Sequence, residues 1–141
     1  MMTVNPYLNF NGNCEEAFNF YKSVFGGEFT YLGRFNEMPM QEGMPPLPEN
    51  EGNRIMHVTL PIGGDTVLMG SDTISISGNV SIGNNISMSV NASSREEADS
   101  LFSRLSEGGK IIMPLSDTFW NAYFGIFTDK FGINWMVNFD L

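Results

Sequence analysis

The 141-residue chain contains one cysteine, one histidine, and seven basic residues against sixteen acidic ones. With Cys14 alone, an intrachain disulfide has no second thiol. The formal net charge of −9 argues against nucleic acid or an anionic membrane as partner, because both are held by basic surfaces. No apolar run approaches the roughly 20 residues of a membrane-spanning helix. The N-terminal MMTVNPYLNF lacks the basic segment and apolar core of a signal peptide. A soluble, cytoplasmic protein is expected. What is present suits a packed domain: apolar residues make up 42% of the chain and charged ones 16%, so disorder is not expected.

Two stretches repeat the same devices: EEAFNFYKSVFGG at residues 15–27 and EEADSLFSRLSEGG at 96–109. In the first, Ala17, Phe18, Tyr21, Val24 and Phe25 follow one helical face, which predicts a helix over 14–25. Asn13 is the expected N-cap, with Glu16 three residues on, and Gly26-Gly27 the expected stop. In the second, Ser94 and Glu97 read as a capping box, Ala98, Leu101, Phe102 and Leu105 as the buried stripe, and Gly108-Gly109 as the stop. The acid pairs Glu15-Glu16 and Glu96-Glu97 are helix-start signals. Adjacent helical residues do not face each other, so they are not catalytic dyads. Cys14, at the start of the first helix with no base nearby in sequence, reads as structural.

Strand patterns surround both helices: PYLNF, EFTYLGRF, RIMHVTLPI and DTVLMG around the first, ISMSV, KIIMPL, AYFGIFT and INWMVNF around the second. In ISMSV, Ile86, Met88 and Val90 oppose Ser87 and Ser89. In INWMVNF, Ile133, Trp135, Val137 and Phe139 oppose Asn134, Met136 and Asn138. Such alternation means sheets with one face on a helix and the other on something more polar. The expected fold is α+β, with two tandem βαβββ modules forming a curved, half-open, β-barrel-like sheet with the helices outside. Module 1 spans about 1–70, a Ser/Gly/Asn-rich linker about 71–84, with room for a short strand, and module 2 about 85–141. The proline-rich loop 36–53 carries Met38, Met40 and Met44. It is expected to cover a pocket or pack against a partner.

Two segments, PYLNFNGNCEEAFNFYKSVFGGE at 6–28 and DTFWNAYFGIFTDKFGINWMVNF at 117–139, resemble the vicinal oxygen chelate superfamily of glyoxalases, bleomycin-resistance proteins and dioxygenases, in its PhnB-like branch. The second is the more specific, combining Phe119-Trp120, Tyr123, Asp129, Phe131-Gly132 and Trp135 at fixed spacing. The resemblance implies a homodimer and, in the superfamily's enzymes, a divalent metal held by His and Glu from four strands and acting as a Lewis acid. The positions matching those ligands are Pro6 or Tyr7, Met69, Asn85 and Met136. The alternation of Leu8 and Phe10 as core residues favours Tyr7. None of these is His, Asp or Glu, and thioethers do not suit hard divalent ions, so no metal and no cofactor is expected. A methyltransferase activity is also attached to this branch, but no glycine-rich dinucleotide-type loop opens a helix after a strand here.

His57 lies in RIMHVTL. With Met56, Val58 and Leu60 under the helix, His57 and Thr59 point into the cup, where His57 serves as a general base, as a ligand contact or as a satisfied histidine without chemistry. Trp120 and Tyr123 stack on a ligand near the cavity mouth or pack into the core; for Trp135, core packing is expected. Asn85, Ser87, Ser89, Asn134 and Asn138 give the second module a neutral, hydrogen-bonding lining. The expected cavity set is therefore Tyr7, His57, Met69, Asn85, Ser87, Trp120, Tyr123, Asn134 and Met136. Two functions follow from it: metal-independent capture of a small organic molecule, or a superfamily enzyme that uses His57 or a metal held by another ligand set.

Overall fold

The computed structural model describes residues 2–39, 42–43 and 45–141. Among them the elements run β1 (Tyr7–Phe10), α1 (Cys14–Phe25), β2 (Tyr31–Arg34), β3 (Ile55–Gly63), β4 (Thr66–Asp72), β5 (Met88–Asn91), α2 (Arg95–Ser106), β6 (Lys110–Asp117), β7 (Ala122–Thr128) and β8 (Asn134–Asp140). The βαβββ order occurs twice, so the repeated helix phrase does mark a duplicated module. The chain divides into two compact units, Met1–Ser81 and Ile82–Leu141.

In the first unit the strand order is β1-β4-β3-β2. Strand β1 runs parallel to β4, and the other pairs are antiparallel. Helix α1 packs on β3 and β4 through Ala17, Phe18, Tyr21 and Val24, which meet Phe10, Val58, Leu60 and Leu68 in the core. Burying each such large apolar side chain contributes about 1.5–3 kcal/mol, and this face holds the unit together. The first helix has the predicted bounds, but its cap is different. Asn13 makes no side-chain cap bond. The buried carboxylate of Asp72, at the end of β4, accepts instead from Gly12 N (3.0 Å), Cys14 N (2.9 Å) and Ile55 N (2.9 Å). A full charge outcompetes an amide for those donors, and the chain returns β4 to the right place.

The second unit repeats the layout as β5-β8-β7-β6, with β5 parallel to β8. Helix α2 packs on β8, β7 and β6, burying Ala98, Phe102 and Leu105 against Phe127, Trp135 and Val137. Ser94 caps it as expected, accepting from Glu97 N at 3.0 Å. The Glu97 carboxylate reaches one residue further back than a standard box, to Ser93 N at 3.0 Å. Cys14 is fully buried. Burial, with Asp72 and Glu15 nearby, pushes its thiol pKa well up, as a structural cysteine requires.

The connecting segments are tied down by side chains. A 3-10 turn, not a strand, occupies Ser75–Ser77, and the buried Glu51 holds it by accepting from Ser75 N (3.0 Å) and Ser75 Oγ (2.8 Å). These bonds hold the Glu51 carboxyl below its ordinary value. Asn11 fixes residue 80 by accepting from Val80 N at 2.8 Å and donating to Val80 O at 3.4 Å. Phe35, with Met38, Pro39, Leu47 and Pro48 of the loop 36–53, helps line a groove of about 550 Å³. Met40 and Met44 lie outside the described residues.

Candidate functional site

The first sheet has a face that α1 does not cover, and its register lines up four side chains. Tyr7 on β1 pairs with Met69 on β4, Met69 with Thr59 on β3, and Thr59 with Tyr31 on β2. Tyr7–Met69–Thr59–Tyr31 is thus one continuous row across the sheet. The core-facing Leu8, Leu68, Val58 and Leu32 alternate with it, as the pleat demands.

His57, two residues before Thr59, shares that face and stands between the two tyrosines. Its Nδ1 lies 3.3 Å from Tyr7 Oη and its Nε2 lies 2.9 Å from Thr59 Oγ1. A neutral imidazole accepts at one nitrogen and donates at the other, and each hydroxyl can take either role. The Tyr7 and Tyr31 ring centroids sit 5.6 Å and 5.8 Å from the imidazole. Tyr31 bends over Gly33, where an added Cβ would lie 2.6 Å from Tyr31 Oη. Only glycine leaves that space. Tyr7 and Tyr31 are 43% and 50% exposed, so neither side chain is packed away in the core. Among the described residues, the hydrogen-bond partners of His57 are the hydroxyls of Tyr7 and Thr59 and no carboxylate. Tyr31 was not singled out from sequence, although the alternation of EFTYLGRF gives it the same parity as Gly33, and the glycine two residues on is the signal.

Helix α2 likewise covers only one face of the second sheet. Its central row is Ser89–Met136–Ile126–Met113. The Asn134 amide is already committed: it accepts from Thr128 Oγ1 (2.9 Å) and donates to Gly83 O (3.0 Å) and Ile86 O (3.2 Å). It secures the segment before β5, in which Asn85 and Ser87 are exposed. Asn138 likewise donates to Asn91 Oδ1 (3.3 Å) and Asp140 Oδ1 (3.0 Å).

Tyr123 does not join this face. Its hydroxyl donates to Asp99 Oδ1 on α2 at 2.5 Å, and Arg95 lies over its ring at 4.6 Å while pairing with Asp117. The Asp99 bond pushes the Tyr123 phenol pKa up. Trp120 sits in the β6–β7 turn, half exposed, edge-on to Phe119 and Phe124 at 4.9 Å and 5.7 Å.

The positions that match the family's metal ligands carry side chains of a different kind. Tyr7 and Met69 face each other on the first sheet, and Asn85 and Met136 belong to the second unit. This donor set of a phenol, two thioethers and an amide does not fit a hard divalent ion. Among the described residues no three His, Cys, Asp or Glu side chains converge. One member of each acid pair has a structural partner, Arg34 for Glu15 and Ser93 N for Glu97. Glu15 forms a two-pronged ion pair with Arg34, at 3.1 Å and 2.7 Å, which holds the Glu15 carboxyl below its ordinary value.

The motif DKFGINW near the C-terminus proves to be a folding device. Buried Asp129 accepts from Phe131 N (2.8 Å) and Ile133 N (3.0 Å) with one oxygen, and from Trp135 Nε1 (2.9 Å) with the other. Gly132 sits at φ +90°, a conformation that side chains rarely adopt. The segment fixes Trp135, 1% exposed, under α2.

A profile of the Glyoxalase/Bleomycin resistance protein/Dioxygenase superfamily matches residues 3–137. The chain is 35% identical over 146 aligned positions to protein YjdN of Escherichia coli K12, covering 97% of this chain and 95% of that one. Among solved structures it is similar to protein PA1353 from Pseudomonas aeruginosa, with 40% identity, 99% and 98% of the two chains covered, and a TM-score of 0.86. It is also similar to the PhnB protein from Bacillus cereus, with 27% identity, 98% and 99% covered, and a TM-score of 0.75. No helix among the described residues is long and apolar enough to cross a membrane.

Proposed function

The chain belongs to the Glyoxalase/Bleomycin resistance protein/Dioxygenase superfamily, with a PhnB-like relative, and we propose that it is a metal-independent protein binding a small organic molecule. One observation carries this reading: the row Tyr7–Met69–Thr59–Tyr31 with His57 between its tyrosines. That face offers two partly exposed tyrosines, a thioether, a hydroxyl and an imidazole, and among the described residues of the row no charged side chain. Such a mixture of apolar surface and a few placed polar groups suits a neutral organic ligand.

The proposed ligand-contact residues are Tyr7, Tyr31, His57, Thr59 and Met69 on the first unit. As separate proposed contacts, the second unit by itself carries Met136 as an apolar side chain and the exposed Asn85 and Ser87 as polar ones. Asn134 supports the segment carrying those two. Trp120 offers an open ring face, while Tyr123 serves α2. The working form is proposed to be a homodimer, which light scattering on the purified protein tests directly.

Metal analysis and a ligand screen test the function together. The expected result is less than a tenth of an equivalent of nickel, zinc, manganese or iron per chain after purification. Ligand-induced stabilisation is expected to be unchanged by EDTA and lost in Tyr31→Ala. One equivalent of a divalent metal per chain, with ligand binding abolished by EDTA, would overturn the proposal and restore a metal-dependent enzyme.

A further inference from the structure

We propose that Thr59, His57 and Tyr7 form a hydroxyl–imidazole–hydroxyl relay that supports acyl transfer from small neutral aryl esters. This rests on the binding reading above and adds an activity to the same face. The geometry is that of an activated nucleophile: a hydroxyl within hydrogen-bond reach of a base, and the base held by a third group. Thr59 Oγ1 is 2.9 Å from His57 Nε2, and Tyr7 Oη is 3.3 Å from Nδ1 on the far side of the ring. In the tautomer protonated at Nδ1, the ring donates to Tyr7 Oη and presents a bare Nε2 to the Thr59 hydroxyl.

The step balances without a cofactor. Thr59 Oγ1 attacks the ester carbonyl carbon as its proton passes to Nε2. Tyr7 Oη holds the Nδ1–H of the imidazolium. The tetrahedral intermediate collapses, the C–O bond to the aryl group breaks, and the phenoxide leaves with the proton from Nε2. Water then gives a proton to Nε2 and attacks the acyl-threonine. The acid departs, and the proton returns to Thr59 Oγ1. Ester and water become acid and phenol, and nothing is oxidised or reduced.

The substrate class follows from what surrounds the relay. Tyr31 is the cross-strand neighbour of Thr59 and leaves half its surface open, which suits an aryl ring stacked on it. No cation lies on the row to hold a carboxylate or phosphate. A phenol orienting the imidazole is a weaker support than a carboxylate, so the relay is limited to esters whose leaving group is a stabilised phenoxide. Thr59 and His57 touch the reacting atoms; Tyr7 is a positioning residue.

The test uses the full chain with EDTA present and 4-nitrophenyl acetate as substrate. Wild type is expected to release 4-nitrophenolate about a hundredfold or more faster than Thr59→Val or His57→Gln, the range of one general base. Thr59→Ser should retain activity. Tyr7→Phe should lower kcat with KM unchanged. Tandem mass spectrometry of the trapped intermediate should place the acetyl group on Thr59. Circular dichroism checks that each variant is folded. Equal rates for wild type and Thr59→Val, or acetyl found on His57 with Thr59→Val fully active, would overturn the relay. Binding of the unreactive ketone 4-nitroacetophenone, displaced in Tyr31→Ala, separates the two levels. If the ketone binds and the ester is not turned over, the relay is wrong and the binding reading stands. If neither binds nor reacts, both are wrong.

Discussion

Replacing Asp72 should unfasten the first unit at one point. Its carboxylate is 4% exposed and serves three backbone donors from two elements, Gly12 N and Cys14 N at the start of α1 and Ile55 N at the start of β3. Two of those bonds, to Cys14 and Ile55, are buried, and the one to Gly12 is partly open to water. A hydrogen bond to a charged group contributes about 1.5–3 kcal/mol, and leaving a buried donor unpaired costs a similar amount. Asp72→Ala should therefore destabilise by roughly 3–5 kcal/mol, a large share of the roughly 5–15 kcal/mol typical of a domain. Asp72→Asn keeps one oxygen for Gly12 and Cys14 but turns an NH2 toward Ile55 N–H, so an intermediate loss of roughly 1–3 kcal/mol is expected. Urea unfolding of the three proteins gives the ranking, and hydrogen exchange gives the location, since the Cys14 and Ile55 amides should lose protection first. Asp72→Ala within about 1 kcal/mol of wild type, or Asp72→Asn as damaging as Asp72→Ala, would show that the carboxylate is not the clasp described.

Trp135→Phe removes the indole donor from buried Asp129 and should destabilise by about 1–3 kcal/mol; a smaller change in thermal or urea midpoint would mean that water replaces the bond. Gly33→Ala places a methyl 2.6 Å from Tyr31 Oη and should swing that ring off His57. Ligand affinity should weaken about tenfold, the scale of one aromatic contact, with stability little changed. An unaltered near-ultraviolet dichroism spectrum and unaltered affinity would count against it. For Glu15, the Arg34 bond lowers the carboxyl pKa from its ordinary 4.5, so the stabilisation is present above that value and is lost as pH falls through the lowered one. The pair is partly exposed, so Glu15→Gln should cost at most about 1 kcal/mol at pH 7. The gap to wild type should close on acidification; a gap that stays constant down to pH 3 would contradict it.

The fold was legible because it is written in local devices that occur twice. The Glu-Glu-Ala start, the helical stripe and the Gly-Gly stop depend on neighbours a few residues apart, and the strand alternation is equally local. The α1 cap was not legible, because Asp72 is 58 residues from Cys14 and nothing near Asn13 announces it. The His57 face was half legible. Parity put His57 and Thr59 on one side and the resemblance placed Met69 with them, but Tyr31 enters only through the β2–β3 register. Tyr123 was placed by resemblance near a cavity mouth, whereas a carboxylate on α2 holds its hydroxyl; that pairing depends on helix packing that no strand pattern encodes.

Cohesion and the proposed ligand contacts occupy opposite sides of the first sheet. Val58, Leu60 and Leu68 carry the stability on one side, while Tyr7, Thr59, Met69 and Tyr31 stand on the other with their backbone bonds supplied by the ladder. Selection or a designer can therefore rewrite the outward side chains one at a time without loosening the support beneath them. Such a sheet is an editable page, and kinship across the superfamily says more about the paper than about the text.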